Sequence, residues 1–190
     1  MDLETMRREY ELARRYTLSL YDDLDEATVM WRPSDQGSSI GWHLGHQAAV
    51  NHHVLRNWVN RDGSIDPAFD RIFDAATEEI GRAFLPPLAE IVAYRQIVAS
   101  RTLARVDEIL SGDCRAPDQM RRIGVTMLAG LINHEYQHDC WVAEVRQALG
   151  HGAVPDPAST SPCLLHLDGY WVMDLTLAGD RAGAGLGELG

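Results

Sequence analysis

Residues 127–145 read MLAGLINHEYQHDCWVAEV. Met127, Leu131, His134, His138, Trp141 and Val145 follow one another at steps of four, three, four, three and four, the period of a single helix face. The face that an α-helix would bury is therefore the one that carries two imidazoles. Imidazoles four residues apart stand one turn above each other, within reach of a single ion. Buried without a partner, each would cost free energy as an unsatisfied polar group. The pair points to a metal site ahead of two core histidines bonded to backbone or tyrosine.

Working outward, the pattern predicts a helix from about Val125 to Leu149, stopped by Gly150. Three more long helices are expected. Met6, Tyr10, Ala13, Thr17, Leu20 and Leu24 mark the first, with arginines between them. It should run for about five or six turns, and Asp25 to Ser38 reads as a connection broken by Pro33. The second opens at Ser39, a good N-cap, and runs to about Asn60. Arg61-Asp62-Gly63-Ser64 has turn chemistry, and Asp66 to Phe84 reads either as a short helix or as a packed loop. The third follows Pro86-Pro87, buries Leu88, Ile91, Val98, Val106 and Ile109, and ends at Ser111-Gly112-Asp113. The expected fold is all-α, a four-helix bundle over residues 1–150. Residues 151–190 form a less regular C-terminal extension, with Leu164 to Leu177 either helical or extended and Gly179 to Gly190 fraying.

Composition narrows the function. The 190 residues carry 17 basic and 28 acidic side chains, a net charge of −11. A phosphate backbone or an anionic bilayer needs a basic face, so neither nucleic acid nor membrane is an expected partner. No apolar run approaches the roughly 20 residues of a membrane span. Met1-Asp2-Leu3-Glu4 lacks a signal-peptide pattern, and three cysteines without a Cys-x-x-Cys pair do not make a disulfide scaffold. A cytoplasmic protein is the expectation.

The second helix has to supply the remaining ligands. His43 and His46 are three residues apart and can share a face; either fits. His53 lies seven residues beyond His46, roughly 10.5 Å along the axis, too far to join the same ion. His52 and His53 are expected in solvent or in a supporting position. Three neutral nitrogens leave open positions on Fe²⁺, Zn²⁺ or Ni²⁺, as catalytic sites do. His134-Glu135-Tyr136-Gln137-His138 also fits H-E-x-x-H, in which Glu135 would be the general base of a zinc hydrolase. The longer form of that motif fails, because Trp141 and Glu144 stand where Gly and His belong. Glu135 also points about 100° away from His134 on a helix.

At Trp42-His43-Leu44-Gly45-His46, Pro67-Ala68-Phe69 with Phe73, Leu88-Ala89-Glu90-Ile91 leading to Tyr94-Arg95, and the His134…His138 pair, the chain resembles the DinB-like superfamily. More narrowly it resembles the N-terminal bundle of the sulfoxide synthases that make ergothioneine and related compounds. The resemblance covers about residues 5–150. It implies a metal site formed by His46, His134 and His138, which leaves His43 as a supporting or core residue. Two departures stand out. Cys140 occupies a position that is often Glu in those enzymes, and Phe84-Leu85-Pro86-Pro87 lacks their Arg. Their large second domain has no counterpart in these 190 residues. The resemblance thus implies the metal site without the full sulfoxide-forming reaction.

Two function classes follow. One is a metal-dependent enzyme acting on a small thiol or an amino-acid-like substrate, as thiol transferase or through non-haem iron chemistry, with Fe²⁺ favoured over Zn²⁺ or Ni²⁺. Tyr94, Arg95 and Tyr136 are its candidate substrate-orienting residues. The other is a non-catalytic metal- or ligand-binding bundle, with a helical face available for a homodimer. Cys140, two residues from His138, belongs to another face and reads as a structural thiol.

Overall fold

A computed structural model describes residues 1–35, 37–60, 63–74 and 84–176. Its elements are α1 (Leu3–Ser19), α2 (Glu26–Met30), α3 (Ile40–Leu55), α4 (Pro67–Ile72), α5 (Leu88–Ser111) and α6 (Pro117–Ala148), followed by a short antiparallel hairpin, β1 (Leu164–Leu167) and β2 (Tyr170–Met173). The long helices α1, α3, α5 and α6 make an all-α bundle in which α6 packs on the other three. The C-terminal extension is less regular.

Side-chain oxygens start most of these helices. Asp2 accepts from Thr5 N, Asp25 from Thr28 N, Ser39 from Trp42 N and Asp66 from Ala68 N, each satisfying a donor that the first turn leaves open. α1 stops at Ser19, about one turn earlier than its stripe suggested, and α2 occupies part of the stretch read as a connection. α3 continues as a π-turn over Arg56–Asn60, so the second helix reaches the expected end. Gly112 (φ 84°) closes α5 in the left-handed conformation.

α6 begins eight residues ahead of the expected Val125, with Pro117 in its first turn and Asp118 beside it. The 32-residue helix is about 48 Å long. It contacts α1, α3 and α5 and also supports β2, whose Met173 N–H bonds Asn133 Oδ1 at 2.8 Å. Arg146 near its end grips Asp23 with two bonds, at 2.6 and 2.7 Å, and the Leu20 carbonyl at 3.0 Å. That fork ties the end of α1 to α6 and draws the Asp23 carboxyl down to about 2.

Met6, Leu20, Ile91, Ile109 and Met127 fill the core at the expected positions, joined by Ile40, Leu44 and Leu128. Of the stretch from Leu164 to Leu177, Leu164–Leu167 and Tyr170–Met173 take the extended alternative, and Leu177 lies outside the described residues. Asp168 (φ 49°) and Gly169 (φ 89°) form the turn, both in the left-handed region that a two-residue hairpin requires. The stretch 67–73 takes the helical alternative. The possible turn at 61–62 and the fraying end at 179–190 lie outside the described residues.

Candidate metal centre

Packing of α3 against α6 brings His46 to His134 and His138. Ring centroids are 5.2 Å apart for His46–His134, 4.8 Å for His46–His138 and 4.5 Å for His134–His138. One ligand nitrogen from each lies within 4.8 Å of the others, a set that could hold a metal ion. Nitrogens sharing an ion at about 2.1 Å must stand within about 4.2 Å of each other, and rotation about the soft χ2 of imidazole supplies any remaining approach.

The surroundings orient two of the three rings, His46 and His138. His46 Nδ1 lies 2.6 Å from the Phe73 carbonyl. A carbonyl only accepts, so Nδ1 carries the proton and Nε2 keeps its lone pair. His138 Nδ1 lies 2.9 Å from His43 Nδ1, which makes His43 the partner that orients His138. Trp42 stacks on His46 with centroids 4.7 Å apart and planes 10° from parallel, and Trp141 meets His138 edge-on at 4.8 Å.

Why the sequence folds this way locally is plain at Gly45. A Cβ there would run into the Phe73 ring, which is fully buried. Glycine lets that ring lie on α3, and the same residue's carbonyl then meets His46.

Burial and the neighbouring imidazoles favour the neutral form of His134 and His138. Burial first, then His46, pulls His134 down to about 4, against the weaker pull of Glu135. His138 is pushed further below the ordinary histidine range by burial and by His134, His43 and His46. Neutral nitrogens are what a cation needs.

Beneath the histidines runs a second, charged layer. Arg95 Nη2 donates to Glu135 Oε1 at 2.6 Å, and its Nη1 donates to Leu44 O and Gln47 Oε1, both at 2.7 Å. Asp139 accepts from Gln47 Nε2 at 2.9 Å and faces Thr17 Oγ1 at 3.0 Å. All five side chains are buried. Burial works against the ionisation of Glu135, but Arg95, with Arg14 behind it, overcomes it and holds that carboxyl below its ordinary value. Burial, then the charge of Glu135, drives Asp139 well above its own. The two carboxyls are thus driven apart, Glu135 toward the ionised form and Asp139 toward the protonated one. Thr17 Oγ1 stands between the two carboxyls, 2.9 Å from Glu135 Oε1 and 3.0 Å from Asp139 Oδ2, with one hydroxyl proton to donate.

The candidate substrate-orienting residues are engaged elsewhere. Arg95 belongs to that layer, and Tyr94 Oη donates to Asp70 Oδ1 at 2.9 Å. Tyr136 is buried beside Tyr16, its hydroxyl without a hydrogen-bond partner among the described residues. None of the three lines the cavities that border the histidines. Glu135, the would-be base of H-E-x-x-H, likewise lines neither. His52 is buried rather than solvated, its Nε2 accepting from Ile65 N at 3.1 Å, while His53 is exposed. Cys140 is half-buried on another cleft, and burial, then Asp139, raises its thiol pKa.

Two cavities meet at the cluster. The larger, of about 480 Å³, reaches His43, His46 and His138 between Trp42 and Trp141. The smaller, of about 300 Å³, touches only His46 of the three ligating candidates and runs along α3 past His53 to Arg56 and Asp70.

Fold and site together define a helical bundle with a three-imidazole cluster at the α3–α6 contact. The family model of the DinB superfamily matches residues 9–141, well over half of the chain. The chain belongs to that superfamily. A comparison with curated proteins returned no match.

Proposed function

We propose that this DinB-superfamily bundle is a metal-dependent enzyme that acts on a small thiol or a related amino-acid-like metabolite. His46, His134 and His138 would hold one divalent cation, Fe²⁺ first, with Zn²⁺ or Ni²⁺ as the alternatives. The observation that carries this is the set of three imidazoles, His46 and His138 buried and His134 half-buried, beside a cleft of about 480 Å³. Three ligands leave coordination positions free, the mark of a catalytic rather than a structural site. A cation held there lowers the pKa of a bound thiol, so that the nucleophilic thiolate forms near neutral pH.

The protein's own part is positional. Phe73 and His43 fix the ring orientations of His46 and His138. Trp42 and Trp141 wall the cleft and limit the water beside the cluster. Thiol-transferase chemistry suits a bundle that works alone, and iron–thiol oxidation is the variant that kinship with sulfoxide synthases would favour. The setting we infer is cytoplasmic. Glu135 lies in the charged layer beneath the site, which weighs against a zinc hydrolase. The test is the visible spectrum of the Co²⁺-substituted protein: small thiols shift its bands under this reading, followed by turnover with an electrophilic acceptor. A spectrum that no thiol perturbs rejects it. Thiol binding without turnover leaves a ligand-binding bundle in its place.

A further inference from the structure

Among the described residues, the larger cleft is lined by one Asp, Glu, Lys or Arg side chain, and it is acidic. Apart from imidazoles and the indole N–H groups of Trp42 and Trp141, its polar side chains among the described residues are Ser38 and Glu144. Glu144 forms no hydrogen bond or ion pair among the described residues. It stands three residues after Trp141 on α6, so the carboxylate and the indole share one helix face. Arg32 sits in the loop that supplies Pro33, Gly37 and Ser38, but its Nε donates to the Gly37 carbonyl at 2.8 Å, turned to its own loop. The whole chain carries a net charge of −11, so the wider field also draws cations and repels anions.

Resting on the reading of the cluster as a thiol-binding metal centre, we infer that this cleft selects thiols that bear a positive charge over thiols that bear a carboxylate. Glu144 is the specificity-determining residue, and Trp141 is the surface on which the cation rests. An ammonium group near an indole face gains from the ring quadrupole. A carboxylate a few ångströms away adds charge attraction, modest because Glu144 is exposed to solvent. A substrate carboxylate in the same place would meet Glu144 as a like charge, with no cation among the cleft-lining residues to receive it. The smaller cavity does carry a cation, Arg56, but it lies 3.6 Å from Asp70, and the cavity borders one imidazole of the three.

The experiment titrates the Co²⁺-loaded full chain with cysteamine and with 3-mercaptopropionate at low salt, reading the cobalt bands. The quantity compared is the ratio of the two dissociation constants across variants, so the differing acidities of the thiols cancel. Glu144→Gln should reduce the preference for cysteamine by about three- to tenfold. Glu144→Lys should shift it further toward 3-mercaptopropionate, and added salt should shrink the wild-type preference. Both changes lie on an exposed helix position and leave the fold alone. A ratio that stays the same in Glu144→Gln and Glu144→Lys overturns the inference while leaving the thiol-binding centre standing. Bands that neither thiol moves remove the centre's thiol chemistry, and this selectivity with it.

Discussion

Replacing Glu135 by glutamine separates the two meanings of His134-Glu135-Tyr136-Gln137-His138. In the structure the carboxylate is 3% exposed and bound to Arg95 at 2.6 Å and Thr17 at 2.9 Å. Breaking a buried ion pair by removing one partner costs about 3–5 kcal/mol, because the other charge is left stranded. Two features reduce that figure here. Glutamine keeps an oxygen for Arg95 and Thr17. Asp139, raised by burial first and by the Glu135 charge second, is released from the second and gives its proton up more readily, which offsets part of the lost countercharge. The expected loss is therefore about 2–3 kcal/mol. In a domain of this size it appears as a drop in Tm of roughly 4–12 °C. Urea unfolding of the metal-free protein measures it directly, as a lower midpoint at unchanged m. Metal affinity should stay within about threefold, since Glu135 does not face the cluster, and a supporting residue would cost roughly 10–100-fold. Unchanged stability, with affinity or turnover falling by more than tenfold, would refute the structural role and restore the hydrolase reading.

Gly45→Ala places a methyl against the buried Phe73 ring. Overpacking of this kind should cost about 1–3 kcal/mol. Because the Phe73 carbonyl holds His46, metal affinity should fall as well, measured by competition with a chelating dye. Asp139→Asn should leave the protein as stable or more stable at pH 7–8 in chemical denaturation. The sign follows from linkage. Asp139 keeps its proton when folded and has lost it when unfolded above about pH 4. The native state thus binds more protons over that window, and stability falls as pH rises through it. Asparagine removes that dependence while still accepting from Gln47 and donating to Thr17.

Much of this was legible because helical periodicity is a strong signal. The stripe from Met127 to Val145 put His134 and His138 on the buried face, and Ser39 announced the start of the helix that bears His46. The choice between His43 and His46 needed more than spacing. Three residues apart they share a face, and what separates them is Phe73, 27 residues away, whose main-chain carbonyl leaves no trace in side-chain chemistry.

The charged layer escaped for a different reason. Thr17 occupies an apolar stripe position, and Glu135 and Asp139 are four apart on α6. Read together, these facts describe a polar seam between α1 and α6; read singly, they look like a tolerated threonine and a solvated helix face. Arg95 was expected at a substrate because an arginine on a helix suggests an anion, and its anion is Glu135. The hairpin had a direct signal, Asp168-Gly169 between LLHL and YWVM, the dipeptide that favours a two-residue β-turn. Pro117 with Asp118 was the matching signal for the early start of α6.

The most direct measurement is Co²⁺ or Fe²⁺ binding by the purified chain under anaerobic conditions, with His46, His134, His138 and His53 each replaced by alanine. One ion per chain is expected. Each of the first three substitutions should weaken binding by more than the roughly 10–100-fold that a supporting residue costs, while His53→Ala leaves it unchanged. Full-affinity binding that survives the loss of any one of His46, His134 or His138 would contradict a shared site.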